Sequence, residues 1–287
     1  MRLSVLDNGH RARARLFLGA TSLMSRVDSP DIVRMLLYRP DFLTRPLLDL
    51  TAPAMRGESY WTAGEREFLA MSTALRHRCP FCVDSHAELT RIAGTGEIDP
   101  DDPASARPQV RAVREFLDGP PDPGPARAAG VPDDALLAAL RVRLVWDVVN
   151  RLANAFGFVL RPGQLHSGTR ALHRFGYRFP AFLLAGGATA SDRDPVEAMR
   201  WSVFDGPGRT GPALRRAAVT GEGLDEPLRG YAATVRDASY RIGDGDVERL
   251  RAAGLTEDEI FEVTVAATVG AALAAHDEAR AVVEGRS

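Results

Sequence analysis

The sequence predicts an all-α protein, on three observations. Apolar residues recur at helical intervals, as in Phe68, Leu69, Met71 and Leu75, and again in Leu137, Leu140, Leu144, Val145 and Val148. A cap signal stands ahead of the first of these stripes, where Thr62 is followed three residues later by Glu65. Two segments dense in proline, glycine and aspartate, 94–108 and 118–132, cannot continue a helix and so punctuate the chain.

The elements follow in order. Residues 1–50 read as a helical lead-in with turns at Asp28-Ser29-Pro30 and Arg39-Pro40. Residues 62–77 form the next helix, begun by the Thr62/Glu65 pair. Pro80 suits the first turn of a further helix and pushes Cys79 out of helical geometry, so Cys79 caps it and Gly94 closes it. The longest clear stripe gives a helix over 133–156. Residues 229–250 make a helix pair that turns at Gly243-Asp244-Gly245-Asp246. The stretch 255–262 echoes 61–68 at its cap and leads into an alanine-rich helix without cysteine, either a degenerate repeat or an ordinary capped helix. The expected organisation is a lead-in (1–50), a first lobe (51–175) and a second helical lobe (176–287). Trp61, Trp146 and Trp201 read as core or interface aromatics, and His166 and His173 as surface or core residues; His10 and His77 give no pattern.

The only two cysteines are Cys79 and Cys82, in Cys79-Pro80-Phe81-Cys82, with His86 four residues further on and Glu67 twelve before the first. Four readings compete: a structural disulfide, a zinc site, two inert thiols, or a redox dithiol. A bridge across so short a loop would contribute little as a staple, and two cysteines make no secreted disulfide framework. Zinc could draw on Cys79, Cys82, His86 and Glu67, but no second ligand pair is present. Helix position favours redox chemistry, because the first turn and the helix dipole stabilise a thiolate and should hold one cysteine below the ordinary value of about 8.5. Cys82 and His86 share a helix face at a spacing of four, so the imidazole can take the thiol proton. Glu67 would orient that imidazole as the third member of a relay, or would lie on a solvated face beside Glu65 and Arg66. Zinc and inert thiols stay open.

Glu67, Cys79, Cys82 and His86 together resemble the E-x11-C-x2-C-x3-H signature of the alkylhydroperoxidase AhpD and carboxymuconolactone decarboxylase superfamily. The flanks Thr62-Ala63-Gly64-Glu65-Arg66 and Ala87-Glu88-Leu89 agree, and the resemblance is close over residues 55–95. It implies an all-helical AhpD-like fold and a thiol-dependent hydroperoxide reductase or disulfide reductase. It further implies that Cys82 attacks the peroxide, Cys79 resolves the sulfenic acid, and His86 with Glu67 moves the proton. No bound cofactor is implied, only an external dithiol such as a lipoyl or thioredoxin-like group. Well-known members carry a histidine directly before the second cysteine, where this chain has Phe81. Asn150-Arg151-Leu152-Ala153 is similar to a helix that follows the dithiol in many members. The resemblance also implies a homo-oligomer, for which Phe17, Leu18, Leu36, Leu37 and Phe42 offer an apolar surface. The rival readings are a decarboxylase-like or biosynthetic enzyme and a non-catalytic scaffold or zinc-holding module.

Composition narrows the remaining classes. All 36 basic residues are arginine, which excludes lysine nucleophiles and Schiff bases. A net charge of -2 without a basic run argues against nucleic acid as a partner. The apolar stretch 263–275 is shorter than the roughly 20 residues of a membrane span. Arg11, Arg13 and Arg15 precede Leu16-Phe17-Leu18, but Ser22 and Arg26 break the run a secretory leader needs. A dithiol that must be reduced to act fits a cytoplasmic setting.

Overall fold

The computed structural model describes residues 1–185 and 193–286, and these are helical throughout, with no strand among them. The helices are α1 (Val5–Asn8), α2 (Ala12–Ser25), α3 (Asp31–Tyr38), α4 (Arg45–Arg56), α5 (Ala63–Arg76), α6 (Pro80–Gly94), α7 (Pro108–Asp118) and α8 (Gly124–Ala128). They continue as α9 (Asp133–Phe156), α10 (Gln164–Phe175), α11 (Ala181–Leu184), α12 (Pro195–Phe204), α13 (Pro212–Thr220), α14 (Leu228–Ala238), α15 (Asp244–Ala252) and α16 (Glu257–Val283).

Two helices organise the interior. α9 packs against α5 on one side and α16 on the other, and sixteen of its 24 residues are buried. A helix apolar on most of its circumference must be covered on most of it, which is why α9 sits between other helices rather than on a surface. α16 is covered in turn by α12, α13 and α14. One contiguous apolar core runs from Leu3 to Val283 and crosses residues 50/51 and 175/176. By length and composition α16 could cross a membrane, yet 78% of its apolar window is buried inside the protein. The short 263–275 run thus understates it, because helix continues through the flanking polar positions.

The helix starts follow their caps. Thr62 accepts from the Glu65 amide and Glu65 accepts from the Thr62 amide, so the capping box is complete. Thr256 and Glu259 do the same for α16. α9 spans the expected residues, and the two turns of the lead-in fall where proline placed them. Three local expectations shift. Gly94 is the last helical residue rather than the terminator, and the left-handed position falls on Thr95 (φ 46°). Gly94 serves a different need: a Cβ on Gly64 would lie 2.4 Å from the Gly94 Cα, so α5 and α6 cross backbone to backbone. The 229–250 pair turns at residues 239–243, because the Asp246 carboxylate accepts from the Gly243 amide and draws 244–246 into α15. Within 118–132 one short helix, α8, forms after Pro123.

The apolar residues of the lead-in are mostly spent inside the chain. Leu36, Leu37 and Phe42 are buried, and Phe17 and Leu18 pack against the small cluster of Ala14, Leu37 and Leu183. The exposed large apolar residues of this region are instead Leu16, Leu23 and Met24 on α2.

Candidate active site

Four segments converge on the dithiol. Cys79 is the N-cap of α6 in an extended conformation (φ -103°, ψ 94°), with Pro80 opening the helix and Cys82 in its first turn. The Cys82 amide donates to the Cys79 carbonyl, closing the turn and bringing the two sulfurs to 3.0 Å. Both are free thiols and both are buried. Disulfide formation from that separation needs only about 1 Å of further approach.

The α5/α6 crossing at Gly64 and Gly94 sets the next contact. Glu67 lies one turn beyond Gly64, and its Oε2 stands 2.7 Å from His86 Nδ1. Glu67 has no solvent exposure. The solvated-face alternative for Glu67 therefore does not describe this side chain. Its two oxygens are fully engaged. Arg56, the last residue of α4, donates to Oε1 at 2.5 Å, and the Tyr177 hydroxyl stands 2.8 Å from Oε1 and 3.0 Å from Oε2. Tyr177 follows α10, where Gly176 (φ 58°) and Tyr177 (φ 63°) both adopt left-handed backbone and turn the phenol inward. The Arg56 guanidinium also lies 5.0 Å from the Tyr177 ring centroid.

Electrostatics follow from this wiring. Burial alone would raise the Glu67 pKa, but the His86 hydrogen bond and charge and the Arg56 guanidinium outweigh it and hold it below the usual carboxylate value. An ionised Glu67 accepts from Nδ1–H of His86, which fixes the tautomer that leaves Nε2 as the basic nitrogen. Nε2 makes no hydrogen bond among the described residues. Burial, reinforced by the Glu67 charge, raises the Tyr177 hydroxyl well above its ordinary value, so it stays a donor.

The thiols depart from the sequence-based expectation. Burial, followed by the neighbouring Cys79 sulfur, pushes Cys82 well above the ordinary thiol range. Helix-end placement does not overcome desolvation here, and the Arg56 guanidinium is paired with Glu67 rather than with a thiol. Cys82 is thus a protonated thiol at rest, one that a base must deprotonate before it can attack.

Aromatic side chains wall the site. The Trp146 ring on α9 meets the His86 ring edge-on at 4.0 Å, and its Nε1 stands 3.2 Å from the Met55 sulfur. Phe81, between the cysteines, packs against Phe158 at 5.5 Å. On the far side, His77 pairs with Asp147 of α9, and Asn154 Nδ2 donates to the His77 carbonyl at 2.8 Å. Between Trp146 and Asn154, the fully buried Asn150 has no protein hydrogen-bond partner on either Nδ2 or Oδ1.

All four sequence-based candidates, Glu67, Cys79, Cys82 and His86, lie in this cluster. Arg56, Trp146 and Tyr177 escaped sequence reasoning, since each reaches the site across the fold and none has a local motif. Only the Gly176-Tyr177 pair carried a signal, as a turn after a helix. Among the described residues no group of three or more His, Cys, Asp or Glu side chains is arranged to hold a metal.

Comparison with known proteins adds little. No family model and no curated protein matches the chain. Among solved structures it is similar to a crystal structure of an alkylhydroperoxidase AhpD core, described as an uncharacterized peroxidase-related protein from Ralstonia eutropha JMP134. The identity is 21%, over 53% of this chain and 87% of that one, with a TM-score of 0.45. So low an overlap carries no functional weight, and the chemistry rests on the site itself.

Proposed function

We propose that this chain is a thiol-dependent hydroperoxide reductase whose dithiol also serves disulfide reduction. The observation that carries the reading is the pairing of two sulfurs 3.0 Å apart with an imidazole on the same helix, itself bound to a buried carboxylate at 2.7 Å. His86 Nε2 takes the Cys82 proton, and Glu67 stabilises the imidazolium that forms. The Cys82 thiolate attacks the terminal peroxide oxygen and the O–O bond breaks. The alkoxide takes the proton from His86 and leaves as an alcohol, while Cys82 becomes a sulfenic acid. The Cys79 thiol condenses with it, releasing water and forming the disulfide. An external dithiol of lipoyl or thioredoxin type restores the pair through a mixed disulfide and is itself oxidised.

We also assign a reducing, cytoplasmic setting and a homo-oligomeric state, which sedimentation would check.

The test is consumption of cumene hydroperoxide with dihydrolipoamide as reductant, for the wild type and for Cys82→Ser and Cys79→Ser. Turnover lost in both variants supports the dithiol cycle. A silent wild type overturns it, and about one zinc per chain with both thiols protected would establish the metal-holding alternative.

A further inference from the structure

We propose that the Asn150 carboxamide is a peroxide-binding group of the dithiol site, an inference that rests on the function proposed above. Its position is bracketed on α9 by two contacts to the dithiol segment. Trp146, four residues before it, meets His86 at 4.0 Å between ring centroids. Asn154, four residues after it, bonds the His77 carbonyl at 2.8 Å. Residues four apart share a helix face and are separated by about 6 Å along the axis. Asn150 therefore lies between the two contacts on the same face, as Cys79 and Cys82 lie between His77 and His86 in the facing segment.

A buried amide ordinarily finds partners, because leaving its donor and acceptor unmade costs stability. Asn150 is fully buried and has none in the protein among the described residues. It bonds neither sulfur, so its Nδ2–H and Oδ1 both remain for a third molecule. A hydroperoxide complements them: its O–H donates to Oδ1 and its ether-type oxygen accepts from Nδ2. As thiolate attack breaks the O–O bond, negative charge gathers on the oxygen that Nδ2–H already faces, and the bond strengthens in the transition state. A carboxamide does not titrate, so it serves here without disturbing the proton passed between Cys82 and His86.

Neither Ser72 nor Thr268, whose buried hydroxyls also lack partners, is placed by such contacts on both sides. Their single hydroxyl could also settle by rotation, whereas an amide presents a fixed donor and acceptor.

The test compares wild type, Asn150→Leu and Asn150→Ala by three measurements: kcat/KM for cumene hydroperoxide, the iodoacetamide alkylation rate of Cys82, and the melting temperature. The expected result is kcat/KM about 100-fold lower in both variants, the size of loss seen when one transition-state donor is removed. Alkylation should be unchanged, and Asn150→Leu should melt no lower than wild type, since an apolar side chain replaces an unpaired polar one. Wild-type kcat/KM in either variant overturns the inference while leaving the dithiol cycle intact. A lower melting temperature in both variants overturns it in favour of a structural amide. A wild type inactive on hydroperoxide overturns both this inference and the function beneath it.

Discussion

Replacing Glu67 by glutamine separates charge from shape at the centre of the site. The amide fills the carboxylate's volume but cannot balance Arg56, whose guanidinium donates at 2.5 Å, and its oxygen can serve only part of what two carboxylate oxygens now accept. Breaking a buried ion pair by removing one partner costs about 3 kcal/mol at the low end. Unfolding entropy of about 2 cal/mol/K per residue makes roughly 0.6 kcal/mol per degree for a chain of this length, so the melting temperature should fall on the order of 5 °C at pH 7. The loss should depend on pH. Glu67 has a depressed pKa in the fold, so its contribution is present above the unfolded carboxylate value of about 4.3 and is lost as pH falls through the lower, folded value. The gap between wild type and Glu67→Gln should therefore be widest near neutrality and close in acid. Calorimetry from pH 7 down to pH 3 measures it, alongside peroxidase turnover, which should fall with the loss of imidazole orientation. Equal melting temperatures at pH 7 would refute the claim that Glu67 is an ionised, buried partner of Arg56 and His86.

Because burial raises Cys82, its alkylation by iodoacetamide should be slower at pH 7 than that of free cysteine and should rise with an inflection above about 8.5. The same shift means fold stability should decline as pH climbs past that value, where the unfolded thiol ionises first; an inflection below it would contradict the desolvated site. Thr62→Ala removes the side-chain half of a complete capping box and should cost about 1 kcal/mol in urea unfolding, with the m-value unchanged. Gly64→Ala drives a methyl into the Gly94 backbone at 2.4 Å and should cost at least 1–3 kcal/mol, roughly the penalty of overpacking, with loss of turnover as the α5/α6 crossing opens. Wild-type turnover in that variant would show that the crossing does not set the Glu67 to His86 contact.

Local patterns were enough to place α5, α6, α9 and α16 and to single out Glu67, Cys79, Cys82 and His86. Capping boxes, proline at first turns and the stripe along 133–156 depend on neighbours within one or two turns, so they could be read directly. Glu67 could not be settled that way, since its local pattern fits a solvated face equally well and only the glycine crossing turns it toward His86. Arg56 and Tyr177 lie outside the motif, and Trp146 read as a core or interface aromatic. The thiol was misjudged for the same reason: a helix N-terminus is visible in sequence, whereas the depth at which it is sealed is not. Of the apolar surface expected on the lead-in, Leu36, Leu37 and Phe42 are buried within the chain, because they meet partners that lie far along it, such as Leu183.

α9 has a consequence for how the protein can be dismantled. One face of it braces the dithiol segment through Trp146, Asp147 and Asn154, while another bears on α16 near the end of the chain. A protease cut or deletion that removes α16 would strip a flank from the same rod that holds the histidine in place. Fragments ending before α16 are therefore expected to lose the turnover proposed for the dithiol, although none of the site contacts described above comes from α16.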